Sequence, residues 1–174
     1  MMNSQSGQPL EIERKFLIRM PDRETLEKYS ERHIRITQIY LLPVEGSGSR
    51  RVRRSVCGGE EKLYLTEKTF VTDRTRVERE REITPEEWER LAAQADPARR
   101  PIRKTRWCVP FAGHTLEIDV FPFWQDRAFC EAELASEEEE LRLPDWIEVI
   151  REVTADHRYN NSALALAVPE EDIP

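Results

Sequence analysis

The chain has 174 residues, of which 35% are charged and 39% hydrophobic, and its 27 Lys and Arg against 34 Asp and Glu give a net charge of −7. This length suits a single domain spanning residues 1–174 with a sizeable core. The acidic balance argues against a nucleic-acid binder, whose affinity depends on excess positive charge. The sequence contains neither a secretory signal nor an apolar run near the roughly 20 residues of a membrane span, so we expect a cytoplasmic protein without a membrane partner.

Eight short segments with the character of β-strands follow one another along the chain. They alternate apolar and polar residues and are separated by turn signals, such as the Gly58-Gly59 pair and Pro110 with Gly113. Short links of this kind favour antiparallel neighbours. The predicted strands are 9–18, 34–43, 49–57, 61–70, 75–83, 101–109, 114–122 and 128–135.

Helices are predicted at only a few places. The clearest covers residues 84–95, where Thr84 can cap the first turn and Glu87 completes a capping box. A shorter helix is predicted between the first two strands, with Leu26 and Tyr29 as buried positions.

The tail from residue 144 is also predicted to be helical, in two pieces separated near Asn160 and Asn161. Because a set of eight antiparallel strands tends to close, the predicted fold class is α+β: an eight-stranded antiparallel closed β-barrel with helices packed outside and a C-terminal helical segment. The interior of such a barrel has room for side chains or one small ligand.

The three cysteines predict neither a disulfide framework nor a thiolate zinc site. Cys57, Cys108 and Cys130 are odd in number, widely spaced and free of any C-x-x-C pattern. We expect them to be small buried hydrophobic residues. The three histidines also lack the spacing of metal ligands.

Ionic side chains occupy alternate positions in nearly every predicted strand, which places them on one face. For any single strand, a solvated outer face is the better explanation, but agreement among seven strands favours a shared charged interior. The ionic positions are Glu11, Glu13, Lys15, Arg51, Arg53, Lys62, Lys68, Glu78, Glu80, Glu82, Lys104, Arg106, Glu117, Asp119, Glu131 and Glu133, and the polar Thr66 shares the same face.

A closed interior with so many ions must hold water and ligands, because each unmatched buried ion costs several kcal/mol. Carboxylates are hard oxygen ligands that suit Mg²⁺ or Mn²⁺. Arginine pairs such as Arg51 and Arg53 match phosphate oxygens, and Lys15, Lys68 and Lys104 add point charges. Together these groups predict a metal-chelated polyphosphate as the ligand.

The same residues resemble the CYTH superfamily, also called the triphosphate tunnel metalloenzymes, whose hallmark is E-x-E-x-K near the N-terminus. Here the hallmark reads EIERK at 11–15. A succession of similar segments in family order is more specific than this motif, and it covers about nine-tenths of the chain. The segments are RVR at 51–53, YLTEK at 64–68, EREREI at 78–83, KTRW at 104–107, LEIDVF at 116–121, CEAEL at 130–134 and EVTADHRYNN at 152–161.

The resemblance implies a tunnel in which carboxylates bind divalent metal and cations bind a triphosphate. By similarity, the metal ligands are Glu11, Glu13, Glu131 and Glu133. The residues implied to clamp the triphosphate are Lys15, Arg51, Arg53, Lys68, Lys104, Arg106 and Arg158. The implied catalytic set, which would support a second metal or the attacking water, is Lys15, Glu80, Glu82, Glu117 and Asp119.

The implied function is a divalent-metal-dependent triphosphatase that hydrolyses inorganic triphosphate, with nucleoside or thiamine triphosphate as alternative substrates. Two other functions stay open: a class IV-type adenylyl cyclase, in which the ribose hydroxyl attacks the α-phosphate, and a non-catalytic module that binds polyphosphate or a nucleotide. The expected cofactor is Mg²⁺ or Mn²⁺ and the expected partner is a small-molecule triphosphate. Assembly into a homodimer is left open.

Overall fold

An antiparallel β-barrel forms the body of the protein, which the computed structural model describes at residues 10–44 and 48–174. The strands are β1 (Leu10–Arg19), β2 (Arg32–Tyr40), β3 (Ser49–Cys57), β4 (Glu60–Phe70), β5 (Thr75–Glu82), β6 (Ile102–Phe111), β7 (His114–Val120), β8 (Arg127–Glu133) and β9 (Val149–Glu152). The α-helices are α1 (Arg23–Tyr29), α2 (Pro85–Ala92) and α3 (Asn161–Leu164), and a short 3-10 helix covers His157–Tyr159. Within the described residues, none of these helices has the length and apolar character that a membrane crossing requires.

The barrel closes between its first and fifth strands. The strand order is β5-β4-β3-β2-β6-β7-β8-β1, and β1 pairs back onto β5 with Glu11 opposite Arg76. All of these pairings are antiparallel, as the short links predicted. The eight-stranded closed barrel and all eight strands expected from the sequence are therefore confirmed.

The helix after the fifth strand is confirmed, together with the cap that begins it. The Thr84 hydroxyl accepts a hydrogen bond from the Glu87 N–H at 3.1 Å, and Pro85 occupies the first turn, where its missing N–H costs nothing. The second half of the predicted capping box does not form. The Glu87 carboxylate instead accepts a hydrogen bond from Arg81 at 2.9 Å.

The helix between the first two strands is also confirmed, with Asp22 accepting a hydrogen bond from the Thr25 N–H at 2.8 Å. Leu26 is buried against the barrel, as expected. Tyr29 is not: its ring is 44% exposed and stacks on Trp146. The expected burial of Tyr29 is therefore wrong. In so short a helix, Leu26 alone is buried against the barrel.

The helical tail predicted from residue 144 is confirmed only after residue 156, where the 3-10 helix and α3 form, and its first piece is wrong. Val149–Glu152 forms β9, which pairs with Phe16–Ile18 on the edge of β1 that lies beyond the end of β5. Pairing to this open edge overrides the helical periodicity of the segment. The predicted break is where the sequence indicated it, since Asn160 is the residue that precedes α3.

Three apolar clusters surround or fill the barrel. One lies on the outer wall under α1, and another lies on the outer wall under α2, where Leu91 and Trp88 pack on Val52. The third lies inside, where the C-terminal segment packs against inward-facing side chains. Its members include Leu17, Phe121, Trp124, Phe129, Val153, Tyr159 and Leu164. The remaining interior is polar.

Candidate active site

A cavity of about 620 Å³ occupies the polar part of the barrel interior, and every one of the eight barrel strands contributes to its wall. Alternation along each strand turns the ionic positions inward and the apolar positions toward the outer clusters. The ionic residues that line the cavity are Glu11, Glu13, Lys15, Arg51, Arg53, Lys68, Arg76, Glu78, Glu80, Arg106, Glu117, Glu131 and Glu133.

Four of the predicted site residues do not line this cavity. Lys104 and Asp119 are fully buried behind its wall, where they form an ion pair. Glu82 is exposed near the end of β5. Arg158 is also exposed, and its guanidinium binds Asp156 of the same turn at 2.7 Å rather than reaching inward. The structure brings all the other predicted site residues together.

Like charges are crowded along one side of the cavity. Burial, together with Arg51 and Arg106 nearby, lowers the pKa of Arg53 to about 10. Burial and Arg51 likewise lower the pKa of Lys68 to about 8. The Nε of Arg51 is buried, and no described residue accepts a hydrogen bond from it. A polyanion in the cavity would relieve this repulsion and satisfy that donor.

Arg53 is held in place by a neighbour that the sequence did not single out. The side-chain oxygen of Gln38 accepts hydrogen bonds from Nε and Nη2 of Arg53, at 3.0 and 2.7 Å. Gln38 is fully buried on β2 and lies opposite Arg53 in the sheet. The sequence feature that could have identified Gln38 is its alternation with Ile36 and Tyr40, which lie on the same inward face of β2.

Arg106 is oriented by the buried ion pair behind the wall. Asp119 accepts hydrogen bonds from Nε and Nη2 of Arg106 at 2.8 and 2.9 Å, and from Lys104 Nζ at 2.7 Å. Although burial alone raises it, these two cations hold the pKa of Asp119 well below its usual range. Arg106 also contacts Glu117, so the guanidinium of Arg106 is held in one orientation where it lines the cavity.

Carboxylates are crowded along β1 and the two barrel strands that pair with it, β5 and β8. Glu13 lies directly across from Glu133 in the β1–β8 pair, and burial together with Glu131 raises the pKa of Glu13 to about 7. Burial and a hydrogen bond with Glu11 raise the pKa of Glu78 to about 7. A cation bound beside these carboxylates would lower both pKa values.

Arg76 is the site residue that sequence reasoning missed. Its Nε lies 3.0 Å from Glu11 Oε2 and its Nη2 lies 3.3 Å from Glu11 Oε1, and it also contacts Glu13. Arg76 shares the alternation of Glu78 and Glu80 on β5. This alternation could have identified Arg76 as an inward-facing residue. Only the pairing of β5 with β1 shows that Arg76 contacts Glu11 and Glu13.

The C-terminal segment reaches the cavity through Lys15. The Lys15 ammonium donates to the carbonyl oxygen of Tyr159 at 2.9 Å and lies 3.2 Å from Glu131 Oε1. The Lys15 backbone N–H donates to Thr154 Oγ1 at 2.9 Å. These contacts place residues 160–162, which also line the cavity, over its rim.

No family model and no curated protein matches the chain. Among solved structures, the inorganic triphosphatase NE1496 is 30% identical, with 92% of this chain and 97% of that chain covered and a TM-score of 0.52. The chain belongs to the CYTH superfamily. Each CYTH motif segment read from the sequence contributes at least one residue to the cavity wall.

Other structures share this CYTH fold at lower identity. PH1819 from Pyrococcus horikoshii OT3 is 21% identical over 74% of this chain and 80% of its own, with a TM-score of 0.57. The putative adenylyl cyclase HpAC1 from Hippeastrum, whose dominant activity is that of a triphosphatase, is 15% identical over 73% of this chain and 81% of its own, with a TM-score of 0.52. At these identities they show the fold alone.

The CYTH family implies a divalent metal, and the chemistry of the carboxylates fits one. Glu11, Glu13, Glu131 and Glu133 offer hard oxygen donors from two adjacent strands, and burial together with Glu131 raises the pKa of Glu13. In residues 10–44 and 48–174, no group of three or more His, Cys, Asp or Glu side chains is already arranged around a metal position. Arg76 lies between Glu11 and Glu13 instead.

Proposed function

We propose that the protein is a divalent-metal-dependent triphosphatase that hydrolyses inorganic triphosphate to pyrophosphate and phosphate. One observation carries this proposal: cations and carboxylates from seven of the eight barrel strands face a single cavity of about 620 Å³. The cations are Lys15, Arg51, Arg53, Lys68, Arg76 and Arg106. The relationship to the inorganic triphosphatase NE1496 supports the same function.

The lining favours an inorganic chain of phosphates over an organic triphosphate. Its apolar members are few, namely Ile12, Phe70 and Leu134, with the ring of Tyr40 beside them. A base or thiazolium ring would need an apolar or stacking platform, whereas phosphate oxygens need the donors that fill this wall. Inorganic triphosphate presents such oxygens along its whole length.

Hydrolysis is then mainly a matter of positioning and charge. Arg51, Arg53 and Lys68 bind the phosphates, and Arg106, fixed by Asp119, faces the negative charge that develops during transfer. Glu80, which accepts a hydrogen bond from the Thr66 hydroxyl at 3.0 Å, orients the attacking water. The water oxygen bonds to a terminal phosphorus, the bridging P–O bond breaks, and pyrophosphate leaves.

The metal ligands in this proposal are Glu11, Glu13, Glu131 and Glu133. A bound Mg²⁺ or Mn²⁺ supplies Lewis acidity to phosphoryl oxygens. The chain's own part is to present these carboxylates on two neighbouring strands, with the Lys15 ammonium beside Glu131.

The proposal is tested by the turnover of inorganic triphosphate, ATP and thiamine triphosphate, each with Mg²⁺, with Mn²⁺ and with a chelator. We expect metal-dependent release of phosphate, fastest from inorganic triphosphate. Cyclic AMP with pyrophosphate from ATP would identify a cyclase instead, and metal-dependent binding without turnover would identify a binding module.

Glu13→Gln is expected to abolish metal-dependent turnover and leave the fold intact, because it removes one carboxylate from the proposed metal site. Glu24→Gln, a matched change on the exposed surface of α1, is expected to keep full activity. Circular dichroism verifies the fold of each variant. Full activity in Glu13→Gln would contradict the assigned metal site.

A further inference from the structure

Arg76 occupies the position where the two hallmark glutamates converge. It lies directly opposite Glu11 on the seam where β1 and β5 close the barrel. Its guanidinium binds both oxygens of Glu11 and also contacts Glu13, and its side chain is only 11% exposed. Lys68 Nζ lies 3.5 Å from the same Glu11. The ligand-free protein therefore neutralises these carboxylates with its own cations.

A guanidinium in this position competes with a metal ion. It stays protonated at every accessible pH and presents a planar fork that matches carboxylates, so it cannot be neutralised in place. A divalent cation that binds Glu11 and Glu13 must take over carboxylate oxygens that Arg76 now holds, and it meets the repulsion of a buried positive charge. Removing that charge should strengthen metal binding.

The displaced guanidinium has one suitable destination, an anion in the same cavity. Arg76 lines that cavity together with Lys68 and Arg51, and both arginines are near enough to Lys68 to add to the effect of burial in lowering its pKa. A triphosphate there would replace the carboxylates that Arg76 gives up. Because linkage is reciprocal, an anion that draws Arg76 away would raise the affinity for metal, and metal would raise the affinity for the anion.

We propose that Arg76 is an internal counter-ion that couples metal binding to triphosphate binding. In the ligand-free protein it holds Glu11 and Glu13; when a divalent cation takes these carboxylates, Arg76 moves to the phosphates. The inference rests on the proposed function for the identity of the anion, while the competition with metal stands on the contacts of Arg76 alone.

The first test measures binding of Mn²⁺ alone by calorimetry to the full chain, without any phosphate. Arg76→Gln is expected to bind Mn²⁺ at least about fivefold more tightly than the unchanged protein. Arg79→Gln removes the same charge from the exposed outer face of β5 and is expected to bind like the unchanged protein. Equal or weaker binding by folded Arg76→Gln, or no Mn²⁺ binding by either protein, overturns the inference.

Arg76→Lys keeps the inference testable if the glutamine variant does not fold. Lysine retains the positive charge but lacks the planar guanidinium that contacts two carboxylates. The Mn²⁺ affinity of Arg76→Lys should therefore lie between that of the unchanged protein and that of a site without this charge. A lysine variant that binds Mn²⁺ no more tightly than the unchanged protein overturns the proposal.

The second test measures the thermal protection given by inorganic triphosphate in the presence of a chelator, when no hydrolysis occurs. Arg76→Gln is expected to lose part of this protection, and Arg79→Gln none of it. Equal protection of all three proteins overturns the coupling. Failure of the proposed function would look different: triphosphate would not be hydrolysed, while the Mn²⁺ affinities would still separate Arg76→Gln from its control.

Discussion

Carboxylates of the same type and parity differ in pKa according to the charges around them. Glu13 and Glu131 both point into the cavity from adjacent strands. Burial raises the pKa of each, but Glu131 lies 3.2 Å from the Lys15 ammonium, which brings the pKa of Glu131 down to about 2, whereas the pKa of Glu13 rises to about 7. The difference follows from which partner faces each group.

Arg53 and Arg54 are adjacent in sequence and lie on opposite faces of β3. Arg53→Ala should raise the KM for triphosphate by roughly 10- to 100-fold, because it removes a charge-assisted phosphate contact. Arg54, which is exposed and binds Glu61 at 2.6 Å, is the matched control, and Arg54→Ala should leave KM within about twofold. Steady-state kinetics measures both. Equal KM values for the two variants would remove Arg53 from the phosphate site.

Asp119 contributes stability because its buried carboxylate is matched by two cations. Asp119→Asn should lower the free energy of unfolding at neutral pH by about 3 kcal/mol, since Arg106 and Lys104 then lose their counter-charge. The folded pKa lies below the ordinary 3.8, so this contribution is fully present above 3.8 and is lost as the pH falls through the lower folded value.

Urea denaturation at pH values above and below 3.8 provides the measurement. The difference in free energy of unfolding between the unchanged protein and Asp119→Asn should be constant well above pH 3.8 and should shrink as the pH falls below it. A difference that does not depend on pH would mean that Asp119 acts through packing rather than through its charge.

Among the helices, α2 and α3 have different consequences for the site. The apolar face of α2 packs on the outer wall through Leu91, away from the cavity. Leu164 of α3 packs inside the barrel end with Tyr159, and the residues just before it, 160–162, line the cavity. One helix stabilises the barrel, whereas the other also places part of the site.

Two leucine truncations separate these roles. Leu91→Ala and Leu164→Ala should each lower the free energy of unfolding by about 3 kcal/mol, because each removes a buried side chain. Only Leu164→Ala should also raise the KM for triphosphate, since α3 positions the rim of the cavity. Denaturation and kinetics on both variants test this. An unchanged KM for Leu164→Ala would mean that α3 does not position groups that bind triphosphate.

Closure of the whole barrel converts a repeated local pattern into one site. Rows of ions on an open sheet would remain hydrated and independent, whereas eight paired strands bring Lys15, Arg53 and Glu80 to the same cavity. The overall charge of −7 is then compatible with an anionic ligand, because the lining carries its own cations. What matters for binding is the field inside the barrel rather than the sum over the chain.

The sequence by itself determined the eight barrel strands, their antiparallel pairing and the inward face of seven of them, because side-chain alternation and turn residues are local properties of the chain. It could not show that Val149–Glu152 forms a strand, since an open edge of β1 induces it. Nor could it show that Lys104 and Asp119 lie behind the wall, or that Arg76 meets Glu11 and Glu13. Those outcomes depend on the register across the closing seam and on the depth of each position in the barrel, which only the tertiary structure decides.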